Sequence, residues 1–178
     1  MLENQIPMVV LRKLLELELN SNGNVDAKLF KVLVEDPSHK FYPFKYDKTQ
    51  WSWQRTDKLV HHFHLLGLLQ TLIVYGPEHA DQFNPSNEDD TVIHVRGIPC
   101  AVDLRNAGIK FKQCYGGIEK IKFDQKSATI SLPTIIMTDH TEVLFRNLIA
   151  LEVCKASDIN YVTCYVSLMD DLIRSEED

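Results

Sequence analysis

The sequence predicts a mainly helical α+β domain with a small antiparallel hairpin or sheet. Four stretches carry apolar residues at helical spacing, whereas residues 118–133 alternate apolar and polar residues on either side of a polar turn. The 178 residues suffice for one hydrophobic core, and 44% apolar with 25% charged residues is a globular composition. We therefore expect residues 1–178 to form a single domain.

The first predicted helix becomes regular near Ile6 and ends at Leu19, because Pro7 is best tolerated in a first turn. Its apolar residues cover more than one face, which predicts packing partners on several sides. The turn residues "NSNGN" stop it, and a short helix follows from residue 26 to residue 34.

A longer helix is predicted from a cap at Thr56 or Asp57 to Val74, and it contains the run "DKLVHHFHLLGLLQ". On a helix His61 and His64 lie about 60° apart around the axis, so they are the candidates for a pair of metal ligands. Zinc needs three or four protein ligands, and no spacing such as HExxH supplies the others. The sequence therefore predicts no metal site and no cofactor.

No local motif of catalysis is present either. The sequence contains no GxSxG elbow, no GxxxxGK[ST] phosphate loop and no GxGxxG turn. A nucleophile pair such as Cys100 with His94 stays open, because such partners meet only in the fold. We predict no catalytic residue.

The middle of the chain carries the predicted hairpin. A long exposed loop covers residues 76–90, and a helix from residue 101 to residue 106 is closed by Gly108. The strands "IEKIKF" and "ATISLP" then flank the turn "DQKS". Their alternation predicts one solvated face and one apolar face that lies on helices.

Two helices complete the chain. Thr138, Asp139 or Thr141 caps a helix that runs through Cys154, and the last helix runs over residues 159–174. The predicted core includes Phe145, Leu148, Ile149, Leu66 and Leu69.

Three polar residues interrupt the apolar helix that ends at Cys154. Arg146, Asn147 and Glu152 are expected to make buried polar contacts that position the helices, because such groups are costly inside a protein unless they are paired.

The net charge of −6 argues against nucleic acid as a partner, since affinity for phosphates comes largely from Lys and Arg. The charge is unevenly spread. Residues 78–90 hold five acids and no base, whereas residues 105–126 hold six bases against two acids. The pattern fits solvated faces of opposite sign or a docking patch for an acidic partner.

The four cysteines are scattered without a CxxC pair, which predicts free thiols. No stretch approaches the roughly 20 apolar residues of a membrane span, and no signal peptide is evident. As it stands the chain is expected to be soluble and intracellular.

Several stretches, read in order, resemble the plant family called domain of unknown function 247. They are "MLENQIPMVVLRKLLEL", "HLLGLL", "LRNAGIKFK", "IKFDQKSATISLPTIIMTDHTEVLFRNLIALEVC" and "INYVTCYVSLMDDLIRSEED". Together they cover nearly the whole chain. "DQKS" departs from the family pattern, which has a glycine-containing hairpin turn.

The resemblance implies that this chain is the central to C-terminal portion of a longer family domain. Relatives carry an N-terminal part and a C-terminal hydrophobic segment that tethers them to a membrane, so a membrane-associated protein is expected. Some members are associated with self-incompatibility and sex determination. The implied function is non-enzymatic recognition or signalling with an unknown protein partner.

Two alternatives stay open. One is a hydrolase or metal-dependent enzyme whose site is completed by the N-terminal part. The other is a non-functional truncated copy, since exposed apolar helix flanks would leave such a chain unstable.

Overall fold

Six helices and a three-stranded sheet make up the part of the chain that the computed structural model describes, which is residues 6–18, 25–35, 41–47, 64–77, 97–155 and 160–174. The helices are α1 (Met8–Glu18), α2 (Val25–Val34), α3 (Leu65–Tyr75), α4 (Ala101–Asn106), α5 (Thr141–Lys155) and α6 (Tyr161–Leu172). The strands are β1 (Lys110–Cys114), β2 (Lys122–Asp124) and β3 (Thr129–Pro133). The mainly helical α+β class is confirmed.

Helix α1 begins directly after Pro7, whose carbonyl accepts the first helical hydrogen bond from Val10 N at 3.0 Å. Its inner face places Met8 in the core, and Leu11 and Leu15 pack against it. Helix α1 packs on α2, where the Lys28 ammonium lies 2.8 Å from the Glu18 carboxylate. Both helices have nearly the predicted bounds.

Helix α3 is the centre of the core. It is apolar on nearly every side and buries Leu68, Leu69, Leu72, Ile73 and Val74. It ends at Gly76, whose positive φ of 80° accompanies a hydrogen bond from its N–H to Leu72 O. A helix that is hydrophobic all round needs neighbours on all sides, and α5, α6 and the turn at residues 118–120 provide them.

The prediction of one continuous helix through His64 is wrong. His64 has extended backbone angles, φ −136° and ψ 151°, and the helix starts only at Leu65. The reason is a contact distant in sequence, since His64 forms a β-bridge with Pro7 and Leu65 N donates to Ile6 O at 3.0 Å. The predicted caps Thr56 and Asp57 lie outside the described residues.

The sheet has the order β1-β3-β2. Strands β2 and β3 form the predicted antiparallel hairpin, although residues 118–120 of the predicted first strand form a 3-10 turn instead. Strand β1 pairs with β3 in parallel, so the sheet is mixed. In the turn between β2 and β3, Asp124 accepts hydrogen bonds from Ser127 Oγ (2.6 Å) and Lys126 N (3.0 Å). These bonds, that of Ser127 first, lower the pKa of the Asp124 carboxyl.

A close backbone approach joins the sheet region to the end of α3. Gly117 precedes a 3-10 turn at residues 118–120, and a Cβ atom there would lie 2.6 Å from Ile73 O and Gly76 N. Only glycine leaves room for this contact. It packs Ile118 into the core.

Helix α5 begins with a capping box. Thr138 Oγ1 accepts from His140 N at 3.3 Å, and Thr141 Oγ1 accepts from Thr138 N at 2.9 Å. The two threonine hydroxyls thus accept hydrogen bonds from backbone N–H groups at the start of α5, as the Ser or Thr and Glu side chains of other capping boxes do. Thr138 and Thr141 were two of the three predicted capping residues.

The predicted core is confirmed. Leu69, Phe145 and Leu148 are buried, and Leu66 and Ile149 are half-buried and pack against the same cluster. Residues 41–47 add Tyr42 and Phe44, which the sequence did not single out. Phe44 lies there because it forms a β-bridge with Ile135, far away in the sequence.

Candidate functional site

The histidine pair does not have the predicted geometry. His64 is exposed and lies outside any helix, so the expected spacing around a common axis does not apply to it. His61 and His94 lie outside the described residues. Within the described ranges, no group of three or more His, Cys, Asp and Glu side chains is placed to hold a metal ion.

A buried carboxylate joins three helices instead. Glu152 of α5 is fully buried, and its two oxygens accept hydrogen bonds from the first turn of α6. Oε1 accepts from Val162 N at 2.8 Å, and Oε2 accepts from Thr163 N at 2.9 Å and from Thr163 Oγ1 at 2.8 Å. A negative charge at the start of a helix also interacts favourably with the helix dipole. Glu152 therefore caps α6 from another helix.

Helix α3 completes this cluster through Gln70. Its Nε2 donates to Glu152 Oε1 at 3.2 Å, and its Oε1 accepts from Lys155 Nζ at 2.7 Å. Burial lowers the pKa of Lys155, and the Glu152 charge partly opposes this shift. The carboxylate thus receives four hydrogen bonds, which is about its full capacity.

The chemistry of this cluster is structural. The oxygens of Glu152 are occupied by neighbouring donors. The nearby thiol of Cys164 has a raised pKa because of burial and then because of the Glu152 charge, so it stays protonated. A protonated thiol is a poor nucleophile. The cluster therefore fixes α3, α5 and α6 relative to one another.

Arg146 and Asn147 do not make the buried contacts that the sequence predicts. The Arg146 side chain is 78% exposed and lies 2.6 Å from Glu142, one turn earlier on α5. Asn147 is exposed and donates to Val143 O at 2.9 Å. Arg146 lies about 160° around the helix from the buried Leu148, and this places it on the solvent side.

An aromatic cluster lies beside α5 and α6. The Tyr165 ring packs against Phe44 and Phe145, with ring centroids 5.6 and 5.7 Å apart. Burial raises the pKa of Tyr165 to about 12. Burial and the charge of Glu35 also raise the pKa of Tyr46. Sequence reasoning missed these tyrosines, because nothing in the pattern around them indicates which elements they meet.

Helix α1 carries apolar side chains on the face that points away from the core. We call this the outer face of α1, and it consists of Val9, Val10, Leu14 and Leu17. Leu17 is 70% exposed. A helix with apolar residues on both its inner and outer faces has an apolar contact surface that the core does not use.

The three-stranded sheet exposes side chains on both of its faces. The register places Phe111, Ile130 and Phe123 side by side across the strands, and we call this the phenylalanine row. Phe123 is 53% exposed and Phe111 is also exposed. The apolar face of the hairpin therefore does not lie on helices at these positions, contrary to the prediction.

The opposite face of the sheet carries three lysines and Asp124. The same register aligns Lys112, Ser131 and Lys122, with Lys110 one row away, and we call these three lysines the lysine face. All three are exposed and form no ion pair with any described residue. Three of the six bases in the basic stretch of the sequence thus lie on one face of this small sheet.

Comparison with known families shows which family the chain belongs to. A family model described as a plant protein of unknown function, DUF247, matches residues 1–178. The chain belongs to the DUF247 family. The UPF0481 protein At3g02645 of Arabidopsis thaliana is 39% identical to it over 82 residues. These residues are 46% of this chain and 16% of that relative.

The DUF247 family is one of unknown function, so membership assigns no reaction to the clusters described above. No solved structure matches the chain. In the described parts of this DUF247 chain, no helix has both the length and the apolar character that crossing a bilayer requires.

Proposed function

We propose that this chain is the central to C-terminal part of a longer plant domain and acts as a non-enzymatic recognition or signalling module of a membrane-tethered protein. The observation that carries recognition is the small sheet with the phenylalanine row on one face and the lysine face on the other. Exposed aromatic side chains favour protein contacts, because they bury a large area with little loss of side-chain entropy. Unpaired lysines beside them favour a partner of opposite charge.

The Glu152 cluster supports a scaffold role for the rest of the fold. It uses the buried carboxylate to hold α5 and α6 together and leaves its oxygens no open position for a substrate. Binding side chains are positioned best when a rigid framework supports them. The helical core is that framework, and β3 contacts the turn at residues 118–120, which packs on α3.

The outer face of α1 supports the placement within a longer domain. Leu14 and Leu17 are well exposed on a helix whose other face is in the core. The Arabidopsis relative is several times as long as the segment it shares with this chain, which fits a family domain larger than 178 residues. We propose that further family chain covers this face.

Attachment to a membrane enters the proposal through the family resemblance, as does a role in processes such as self-incompatibility. The protein partner is therefore the part of the proposal that can be tested directly.

The test is photo-crosslinking from the sheet in plant cells that express the natural protein containing this chain. A photoreactive amino acid is placed at Phe123, and at Arg146 as the control, since both positions are exposed but lie on different elements. We expect a discrete adduct with another polypeptide from position 123 and none from position 146. Equal adduct patterns at both positions, or none at either, would contradict the proposal.

A further inference from the structure

Among the described residues, strand β1 is an outer strand of the sheet, and none of them pairs with its other edge. Lys110 N donates to Ala128 O at 2.8 Å, and Cys114 O accepts from Thr134 N at 3.3 Å, so both residues face β3. Because backbone groups alternate in direction along a strand, the N–H and C=O of Phe111 and Gln113 point to the other side. No hydrogen bond from the described residues reaches these four groups.

The side chains along this edge also alternate. Lys110 and Lys112 point to one face of the sheet, and Phe111 points to the other. All three are exposed, and the two lysines have no ion-pair partner among the described residues. A strand added beside β1 would have its own side chains on the same two faces in alternation.

We propose that β1 binds an extended acidic segment of a protein partner as a fourth strand of the sheet. The backbone of the segment hydrogen-bonds to Phe111 and Gln113. Its acidic side chains lie beside Lys110 and Lys112, and its apolar side chains lie against Phe111, the member of the phenylalanine row on β1. The inference rests on the proposed recognition function and specifies the chemistry of the partner.

Two other occupants fit the edge less well. A second copy of β1 would place its lysines on the same face as Lys110 and Lys112, and like charges opposite each other are destabilising. A flat anionic bilayer would meet either the lysine face or the phenylalanine row, because the two lie on opposite sides of the sheet. An extended peptide at the edge can place side chains on both faces of the sheet.

The experiment measures binding of a labelled, end-blocked peptide with alternating Glu and Val to the whole 178-residue chain by fluorescence anisotropy. Gln113→Pro removes the outward N–H, and proline is tolerated at an edge position whose N–H faces away from the sheet. Gln113→Ala, the matched control, keeps that N–H. We expect binding to weaken about tenfold in Gln113→Pro and to change less than about threefold in Gln113→Ala. Binding should also weaken as salt rises.

A second measurement covers the case in which Gln113→Pro does not fold. A peptide that is N-methylated on the residues facing β1 cannot pair with the strand, and it should bind the wild-type chain at least about tenfold more weakly. A scrambled peptide with three Glu followed by three Val should behave in the same way.

Three outcomes would overturn strand addition. They are no binding of the alternating peptide, equal binding of the N-methylated peptide, and binding to phosphatidylserine vesicles without binding to the peptide. In each case a crosslink from position 123 to another polypeptide would still support the proposed recognition function. If the alternating peptide binds at β1 but position 123 gives no crosslink, the interaction would instead be limited to the isolated edge.

Discussion

At the scale of single residues, Glu152 differs most from its neighbours on α5. It is a carboxylate fully inside the protein, and it is stable there because four donors from α3 and α6 meet its two oxygens. The sequence predicts a buried role for Glu152, but it predicts the same for Arg146 and Asn147. Helix α5 is apolar around most of its circumference, so periodicity alone could not tell which polar residue faces inward.

Glu152→Gln should lower the free energy of unfolding by about 2 kcal/mol, since an amide nitrogen would face N–H groups from which the carboxylate now accepts hydrogen bonds. Glu142→Gln is the matched control on the same helix, where the exposed pair with Arg146 contributes less than about 1 kcal/mol. Urea unfolding of both variants measures the difference. Equal losses would show that Glu152 does not anchor α6.

Tyr165 gives the fold a dependence on alkaline pH. The unfolded phenol ionises near its usual pKa of 10.0, whereas the folded one keeps its proton until about pH 12. The folded state therefore binds the proton more tightly, so its stability is intact below pH 10 and is lost as the pH rises through 10 to 12.

Tyr165→Phe should reduce this alkaline loss by about 2 kcal/mol between pH 10 and pH 12, because one pKa unit corresponds to about 1.4 kcal/mol. Tyr115→Phe, which removes an exposed hydroxyl, controls for the loss of a tyrosine. Urea unfolding at intervals between pH 8 and pH 12 gives the comparison. Curves for Tyr165→Phe that match the wild type would contradict this role.

At the scale of elements, local signals predicted most of what the structure contains. Helix α4 with its closing Gly108, the β2–β3 hairpin and the cap at Thr138 all depend on residues close in sequence. Two of the errors depend on distant contacts. His64 is extended because it pairs with Pro7. Strand β1 pairs in parallel with β3, and the 3-10 turn and β2 lie between these two strands in the sequence.

Gly117→Ala tests how the sheet region is held against α3. A Cβ atom at this position would contact Val74 O and lie 2.6 Å from Ile73 O, and helix backbone cannot move aside cheaply. We expect a loss of about 2 kcal/mol or more in the free energy of unfolding. Gly108→Ala, whose Cβ would enter open space at a φ of +91°, should lose only about 1 kcal/mol. A smaller loss for Gly117→Ala would refute the close approach.

At the scale of the whole molecule, a helical core carries two surfaces that the core itself does not use. We propose that further chain of the family domain covers the outer face of α1 and that a partner binds the sheet. The candidate site could be predicted only as a basic stretch of sequence. The opposite placement of phenylalanines and lysines follows from the register of three strands, which no single stretch encodes.

Leu17→Glu separates the isolated chain from the longer protein. In the 178-residue chain the residue is 70% exposed, so the free energy of unfolding should change by less than about 0.5 kcal/mol. In a natural family protein with further chain over α1, the same change should cost about 2 kcal/mol. Val153→Glu, at a similarly exposed position on α5, is the control. Equal effects of Leu17→Glu in both proteins would exclude coverage of α1.

The central claim is that the sheet is the recognition surface, and Phe123→Thr tests it most directly. Threonine is a good strand residue, so the free energy of unfolding should fall by less than about 1 kcal/mol. The measurement is the yield of the partner adduct from a photoreactive amino acid at Lys122, in the natural protein with and without this change. We expect the adduct to be lost while the fold is kept. An unchanged yield of adduct would contradict it.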